Sequence, residues 1–306
     1  MFIVKNRNLW YTISAVLIAA SIVAVAVWGL KFGIDFTGGS LMEVQYSVVE
    51  QKTSADVAAA LESAGVTGSS VRPTGETGYL IRTPFLTPEQ YATARTALGG
   101  TELRYDAIGP TIGTELQTRA VYAVLLVLLM ITLFIAFVFR KVSKPVSSWK
   151  YGVVALLALA HDVIIPIGAF ALMGHYWGAE VDTLFVTAIL VILGFSVHDT
   201  IVVFDRTREN LKHLEEKGEK EDFEETVGKS VTQTIARSIN TSLTTVLALV
   251  ALYIFGPTVT HYFVLALIIG IVTGTYSSIF IGSPLLVTLQ KLQKVKPVED
   301  EKRKKK

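Results

Sequence analysis

Between Ser238 and Gln290 the chain carries no Asp, Glu, Lys or Arg. Such a run cannot supply the surface of a water-soluble fold. It is also far longer than the roughly 20 residues that one bilayer crossing takes at about 1.5 Å per residue. Gly256-Pro257 interrupts it, so it reads as a hairpin of two membrane spans. Apolar residues make up 51% of the chain, as expected of an integral membrane protein. The formal net charge of +2 matters less than its clustering. With no cysteine, a disulfide framework, a thiolate nucleophile and a zinc–sulfur site are excluded.

The rest of the chain completes a six-span plan. Residues 1–8 form a short N-terminal segment with Lys5 and Arg7, and 9–30 is an uncharged span. Its apolar run is longer than a signal-peptide core, so a retained span is expected, although Ala24-Val-Ala26 resembles a cleavage site. Further spans fall at about 120–139, 151–173, 183–204, 235–255 and 261–290, all within a membrane region covering 116–290. A charged loop occupies 205–232 and a basic tail 291–306. Lys and Arg cluster in the loop at Arg140–Lys150, in the 205–232 loop and in the tail, and are absent from the two short opposite loops. The positive-inside rule then places both termini in the cytoplasm. Phe223, Val227, Val231, Ile235 and Ile239 recur every four residues, which predicts an amphipathic helix lying on the inner membrane surface or docking a partner. The tail reads as an anchor to the lipid of the inner leaflet.

Residues 31–115 differ in kind. Leu41–Tyr46 alternates as a strand, Thr53–Gly65 reads as a capped helix, and Ser69–Arg72 and Gly78–Thr83 read as strands. Thr87–Gly99, with Pro88 in its first turn, reads as a second helix, and Glu102–Ile108 as a last strand. The order β-α-β-β-α-β predicts a small ferredoxin-like α+β domain outside the membrane. Its charged residues are scattered and suggest no catalytic cluster. The expected fold class is therefore a membrane α-helical bundle of six spans with one small extracytoplasmic α+β domain.

The chemistry is expected where charge enters the spans. Asp199, beside His198, lies about six residues, roughly 9 Å, inside span four. Arg237 lies a few residues inside span five from the same side, so antiparallel neighbouring helices would bring the two level. Such a pair can be glue between helices. It can also be a proton relay, because burial favours a neutral carboxyl and an adjacent cation favours a charged one. His161 and Asp162 sit in the middle of span three. Neighbours on a helix point about 100° apart, so the two are expected not to bind each other but to bond across helices or line a wet cavity. Asp205, Arg206, Arg208 and Glu209 read as interfacial pairs. Gly270, Gly274, Ser277, Ser278 and Gly282 read as a packing face of small residues.

Two motifs fail. Gly228-Lys-Ser230 lacks the glycine of a phosphate-binding loop five residues earlier, where Phe223 stands, and no His-Glu-x-x-His occurs. Five histidines without ligand spacing predict no metal and no cofactor, and nothing points to nucleotide hydrolysis or nucleic acid. A membrane-embedded enzyme would need Asp199 and His161 or Asp162 as an acid pair, but their depths differ by several residues. No enzyme is expected. A small-solute exporter and a channel scaffold are the remaining rivals.

Three stretches together resemble the SecF family of bacterial protein-export membrane proteins, in the resistance-nodulation-division superfamily. They are Gly33-Ile-Asp-Phe-Thr-Gly-Gly39, Gly194–Asn210 with its Val-Val-Phe-Asp-Arg-x-Arg-Glu-Asn ending, and Thr234–Ser242. The signature positions are Gly33, Asp35, Phe36, Gly38, Gly39, Asp205 and Arg206. The resemblance implies a subunit of the bacterial inner membrane that acts with a separate SecD chain beside the SecYEG channel. YajC-like and YidC-like accessory proteins and the translocating preprotein are further implied partners. It implies use of the proton motive force to finish export, with Asp199 and Arg237 at the family's proton-path positions. His198 stands where many relatives carry Asn, which leaves its part in the relay open. The resemblance assigns no role to His161 or Asp162.

Overall fold

The computed structural model describes residues 2–50, 52–140 and 146–292. Lys141 and Lys144 of the first basic loop, and the basic tail beyond Leu292, lie outside the described residues. The chain divides into two units, one of Leu30–Ala123 with Trp177–Val186, the other of Met1–Gly29, Val124–Tyr176 and Thr187–Lys306.

The first unit is built on a four-stranded antiparallel sheet. Its strands are β1 (Gly39–Gln45), β2 (Ser70–Thr74), β3 (Gly78–Thr83) and β4 (Thr101–Ile108), in the order β2-β3-β1-β4. The helix between β1 and β2 (Ser54–Ser63) starts where the Thr53 side chain accepts from the Asp56 N–H and the Asp56 carboxylate accepts from the Thr53 N–H. The helix between β3 and β4 (Pro88–Leu98) repeats this box with Thr87 and Gln90, carries Pro88 in its first turn and stops at left-handed Gly99. The inward sides of strands and helices seal Met42, Val57, Leu61, Ile81 and Leu98 from solvent, a strand period of two meeting a helix period of 3.6.

A short helix, Ile34–Thr37, leads into β1. Gly39 follows with φ +134, and a Cβ there would lie 2.8 Å from the Thr83 carbonyl oxygen. Only glycine meets both conditions. Ahead of it, the Gly33 N–H donates to the Val181 carbonyl at 2.8 Å and the Val181 N–H to that of Lys31 at 2.7 Å. Asp35 accepts from the Thr183 N–H at 2.8 Å and the Thr183 hydroxyl at 2.5 Å. Arg72 donates to the Gly178 carbonyl at 2.9 Å, and Arg82 pairs with Glu180. The segment before the fourth span is thus gripped from one side by the signature turn and from the other by β2 and β3.

Among the described residues six helices are long and apolar enough to cross a membrane: Arg7–Trp28, Pro110–Val138, Ser148–Trp177, Thr183–Lys217, Phe223–Phe255 and Thr258–Lys291. Below, the last four are called spans three to six. Much of spans three, four and six is buried within the chain, whereas the second span exposes Leu125, Leu129, Leu133 and Phe137 along its length. Two expectations change. The charged segment 205–232 is mostly helix, because span four runs on to Lys217 and span five already begins at Phe223. The apolar stripe of Phe223, Val227 and Val231 does not lie on lipid; it packs on a protein core with Val4, Leu286 and Val287. A four-residue spacing defines a face without saying what covers it. Ile239, at the end of the same four-residue spacing, is exposed.

Candidate functional site

Spans three, four, five and six meet around two buried carboxylates. Span four places Ser196, Asp199 and Thr200 on one face by helical spacing, and all three are buried. Span six packs hard against it. A Cβ on Gly270 would lie 2.1 Å from Ile192 Cδ1, and one on Gly274 would lie 3.0 Å from Ser196 Cβ. The packing face expected from small residues is therefore real, and its absent side chains let the hydroxyls of span six reach span four. Thr200 and Ser278 share a hydrogen bond at 2.8 Å, and the Ser278 hydroxyl also donates to the Ser196 carbonyl at 3.2 Å. At Ser278–Gly282 span six widens into a single π-helical turn. Such turns are rare and recur at functional sites.

Asp199 is 2% exposed. Its Oδ2 accepts from the Ser242 hydroxyl of span five at 3.4 Å and from the Thr275 hydroxyl of span six at 3.5 Å, and those two hydroxyls bond each other at 2.5 Å. Ser238, one turn before Ser242, is buried close to Asp199. Arg237 is exposed, and among the described residues it forms no ion pair with Asp199. The expected contact is therefore not made in this conformation. A helix turns about 100° per residue, so a buried Ser238 carries its neighbour Arg237 out of the bundle. His198 is also exposed.

Asp162 of span three is fully buried. Its Oδ2 accepts from the Ser196 hydroxyl at 2.5 Å and the Ser277 hydroxyl at 2.7 Å, and its Oδ1 lies 2.9 Å from His161 Nδ1. The expectation that His161 and Asp162 do not bind each other is corrected. Their Cβ vectors diverge, but the imidazole is long enough to swing back to the adjacent carboxylate. The bond between helices expected of Asp162 is present. Pro166 sits inside this helix; lacking an N–H, it gives no donor to the Asp162 carbonyl four residues before it.

The other signature residues lie elsewhere. Gly33, Asp35, Phe36 and Gly38 belong to the turn before β1 and Gly39 is the first residue of that strand, with Phe36 buried. Asp182, beside Asp35, accepts from the Phe185 N–H at 2.8 Å. Burial pushes its carboxyl above the usual range, the Phe185 N–H pulls it back, and the Asp35 charge pushes it further up. Asp205 pairs with Arg208 at 2.5 Å, and Arg206 with Glu209 at 2.6 Å. Arg206 also donates to Gln233 of span five at 2.6 Å, so Arg206 ties spans four and five as well as pairing at the surface. Sequence reasoning missed Ser196, Ser242 and Thr275 as partners of the acids. Their only signal was hydroxyl density inside uncharged spans, since single serines are common in membrane helices. Among the described residues no cluster of His, Asp and Glu could hold a metal ion.

Span five also exposes a polar stripe. Gln233, Arg237, Asn240, Thr241 and Thr244 line the open side of span five, where lipid contact would be unfavourable.

Residues 90–292 match the family described as Protein export membrane protein SecD/SecF, C-terminal, and residues 23–48 match the SecD/SecF GG Motif. The chain is 42% identical over 303 residues to the Protein translocase subunit SecF of Thermobaculum terrenum, covering 94% of this chain and 93% of that protein. It is 39% identical over 292 residues to the Protein translocase subunit SecF of Anaerolinea thermophila, with 93% and 92% covered. The crystal structure of SecDF, a translocon-associated membrane protein from Thermus thermophilus, superposes with a TM-score of 0.80 at 32% identity. That match covers 94% of this chain, which spans 38% of the longer SecDF chain.

Proposed function

The chain belongs to the SecF family of protein translocase subunits, and from that premise we propose that it couples proton movement to late, ATP-independent export of preproteins. It does so as a multi-pass inner-membrane subunit, with a separate SecD chain, beside SecYEG and its YajC-like and YidC-like accessory proteins. The observation that carries this reading is Asp199, a buried carboxylate that accepts from the Ser242 and Thr275 hydroxyls, with Arg237 one residue from the nearby Ser238 on the next helix.

A turn of span five by about 100° would exchange Ser238 for Arg237 beside Asp199. A carboxyl facing only neutral hydroxyls and one facing a guanidinium differ in proton affinity. Proton binding then biases the packing of the helices, and the packing biases proton binding. One elementary charge crossing the membrane supplies about 2.3 kcal/mol per 100 mV, enough to shift such an equilibrium. The exposed stripe around Arg237 is the face offered to SecD, whose bundle would cover its polar groups. Both termini lie in the cytoplasm, following the basic loops, and the sheet unit lies outside. Its β-α-β-β-α-β order with strands β2-β3-β1-β4 supports a ferredoxin-like domain. The relatives' names favour this role over a small-solute exporter.

The test is Asp199→Asn. Reconstituted with SecD and the channel, this variant inserts and associates normally and loses the proton-gradient-dependent part of export, measured as protected preprotein in vesicles. Undiminished export would leave only a scaffold role.

A further inference from the structure

The relay leaves a second buried titratable pair unused. We propose that His161 and Asp162 form a second proton-binding site of the bundle, with His161 Nε2 as the atom that takes the proton.

The assignment follows from which lone pairs are occupied. An ionised carboxylate only accepts hydrogen bonds, so the proton between His161 and Asp162 sits on Nδ1. In the neutral imidazole that leaves Nε2 as a bare acceptor, and among the described residues the buried Nε2 has no hydrogen-bond partner. Both oxygens of Asp162 already accept, from Ser196, Ser277 and His161. Nε2 is therefore the open position of the pair. Without the added proton the pair holds one net negative charge in a water-poor interior. With it, imidazolium and carboxylate neutralise each other at 2.9 Å, which relieves the cost of a lone buried charge.

Span four presents the Ser196 hydroxyl, with His198 and Asp199 in its next turn. Span six presents Ser277 and the Tyr276 ring, stacked on His161 at 6.0 Å. The Tyr276 hydroxyl donates to the Trp10 carbonyl of the first span at 3.0 Å and accepts from Ser14 at 3.3 Å. Each direct partner of Asp162 other than His161 is thus a neutral hydroxyl, and the proton is what balances the charge. The site shares Ser196 with span four but no ligand with Asp199, so it does not rest on the relay.

The full chain, labelled with nitrogen-15 histidine and held in lipid nanodiscs, tests this by nuclear magnetic resonance across pH. His161 is identified by loss of its signals in His161→Gln. The expected result is a Nδ1–H tautomer at high pH and conversion of Nε2 from a bare nitrogen to N–H as pH falls. Asp162→Asn keeps an oxygen for Nδ1 but removes the charge, and it loses that conversion in the same range. Asp199→Asn retains it, which separates this site from the relay. A His161 that keeps one neutral form throughout, an Nε2–H tautomer at high pH, or a conversion unchanged in Asp162→Asn would overturn the proposal.

Discussion

In the sheet unit Met42, Leu61 and Ile81 are fully buried while Asp56, Glu62 and Glu89 lie exposed. In the helical unit Asp162, Asp199 and a set of serine and threonine hydroxyls are buried, and Leu129, Phe134 and Leu247 are exposed. The inversion follows from the solvent. Water drives apolar side chains of the sheet unit inward, at roughly 25 cal/mol per Å² of apolar surface removed. Lipid tails are as apolar as leucine, so helices in a membrane gain nothing comparable by burying leucine against leucine. Close contact of small residues and hydrogen bonds hold them instead.

The strongest way to break this comparison is to delete a large apolar side chain in each unit. Ile81→Ala empties a sealed position and should destabilise the sheet unit by about 2–5 kcal/mol. Leu247→Ala on the open side of span five should change stability by less than about 0.5 kcal/mol. Urea titration of the full chain in nanodiscs, followed by protease protection of each unit, reads both. Equal losses would mean that the hydrophobic effect governs both units alike.

A smaller effect sharpens the other half. Gly270→Val should destabilise the helical unit by about 1–3 kcal/mol through overpacking. The new Cβ would meet Cδ1, Cγ1 and Cγ2 of Ile192 together, and a β-branched side chain cannot swing all three aside. Thermal unfolding of helix contacts in detergent measures it. A neutral result would show span six free to slide away from span four.

The two units were also unequally legible. Period-two and period-3.6 patterns, Thr-initiated caps and the turn glycines make the sheet unit's element order readable in the sequence. The spans were readable from length and charge, but what each helix face touches was not. Phe223, Val227 and Val231 are spaced as well for lipid as for protein, and only tertiary packing decides between them. For the same reason Asp199 stood out as a lone acid, whereas its hydroxyl partners did not. Nor does helix phase alone reveal that the His161 ring can turn back onto Asp162.

The smallest effect probes the place where an acid is half-buried in the sheet unit. Asp182 has its carboxyl raised chiefly by burial. The folded chain therefore binds its proton more tightly than the unfolded chain, whose Asp value is about 3.9. Stability from this group is full below that unfolded value and falls as pH rises through the raised folded value. The opposing influence is the start of span four, where N–H groups such as that of Phe185 favour a negative charge. Because burial outweighs it, Asp182→Asn, which keeps an oxygen for the Phe185 N–H, should leave the sheet unit equally stable in acid. At neutral pH it should be more stable by about 0.5 kcal/mol or less. Urea midpoints at pH 3 and pH 7 measure the difference. A variant weaker than the parent at pH 7 would mean that the helix terminus, not burial, sets the state of this carboxyl.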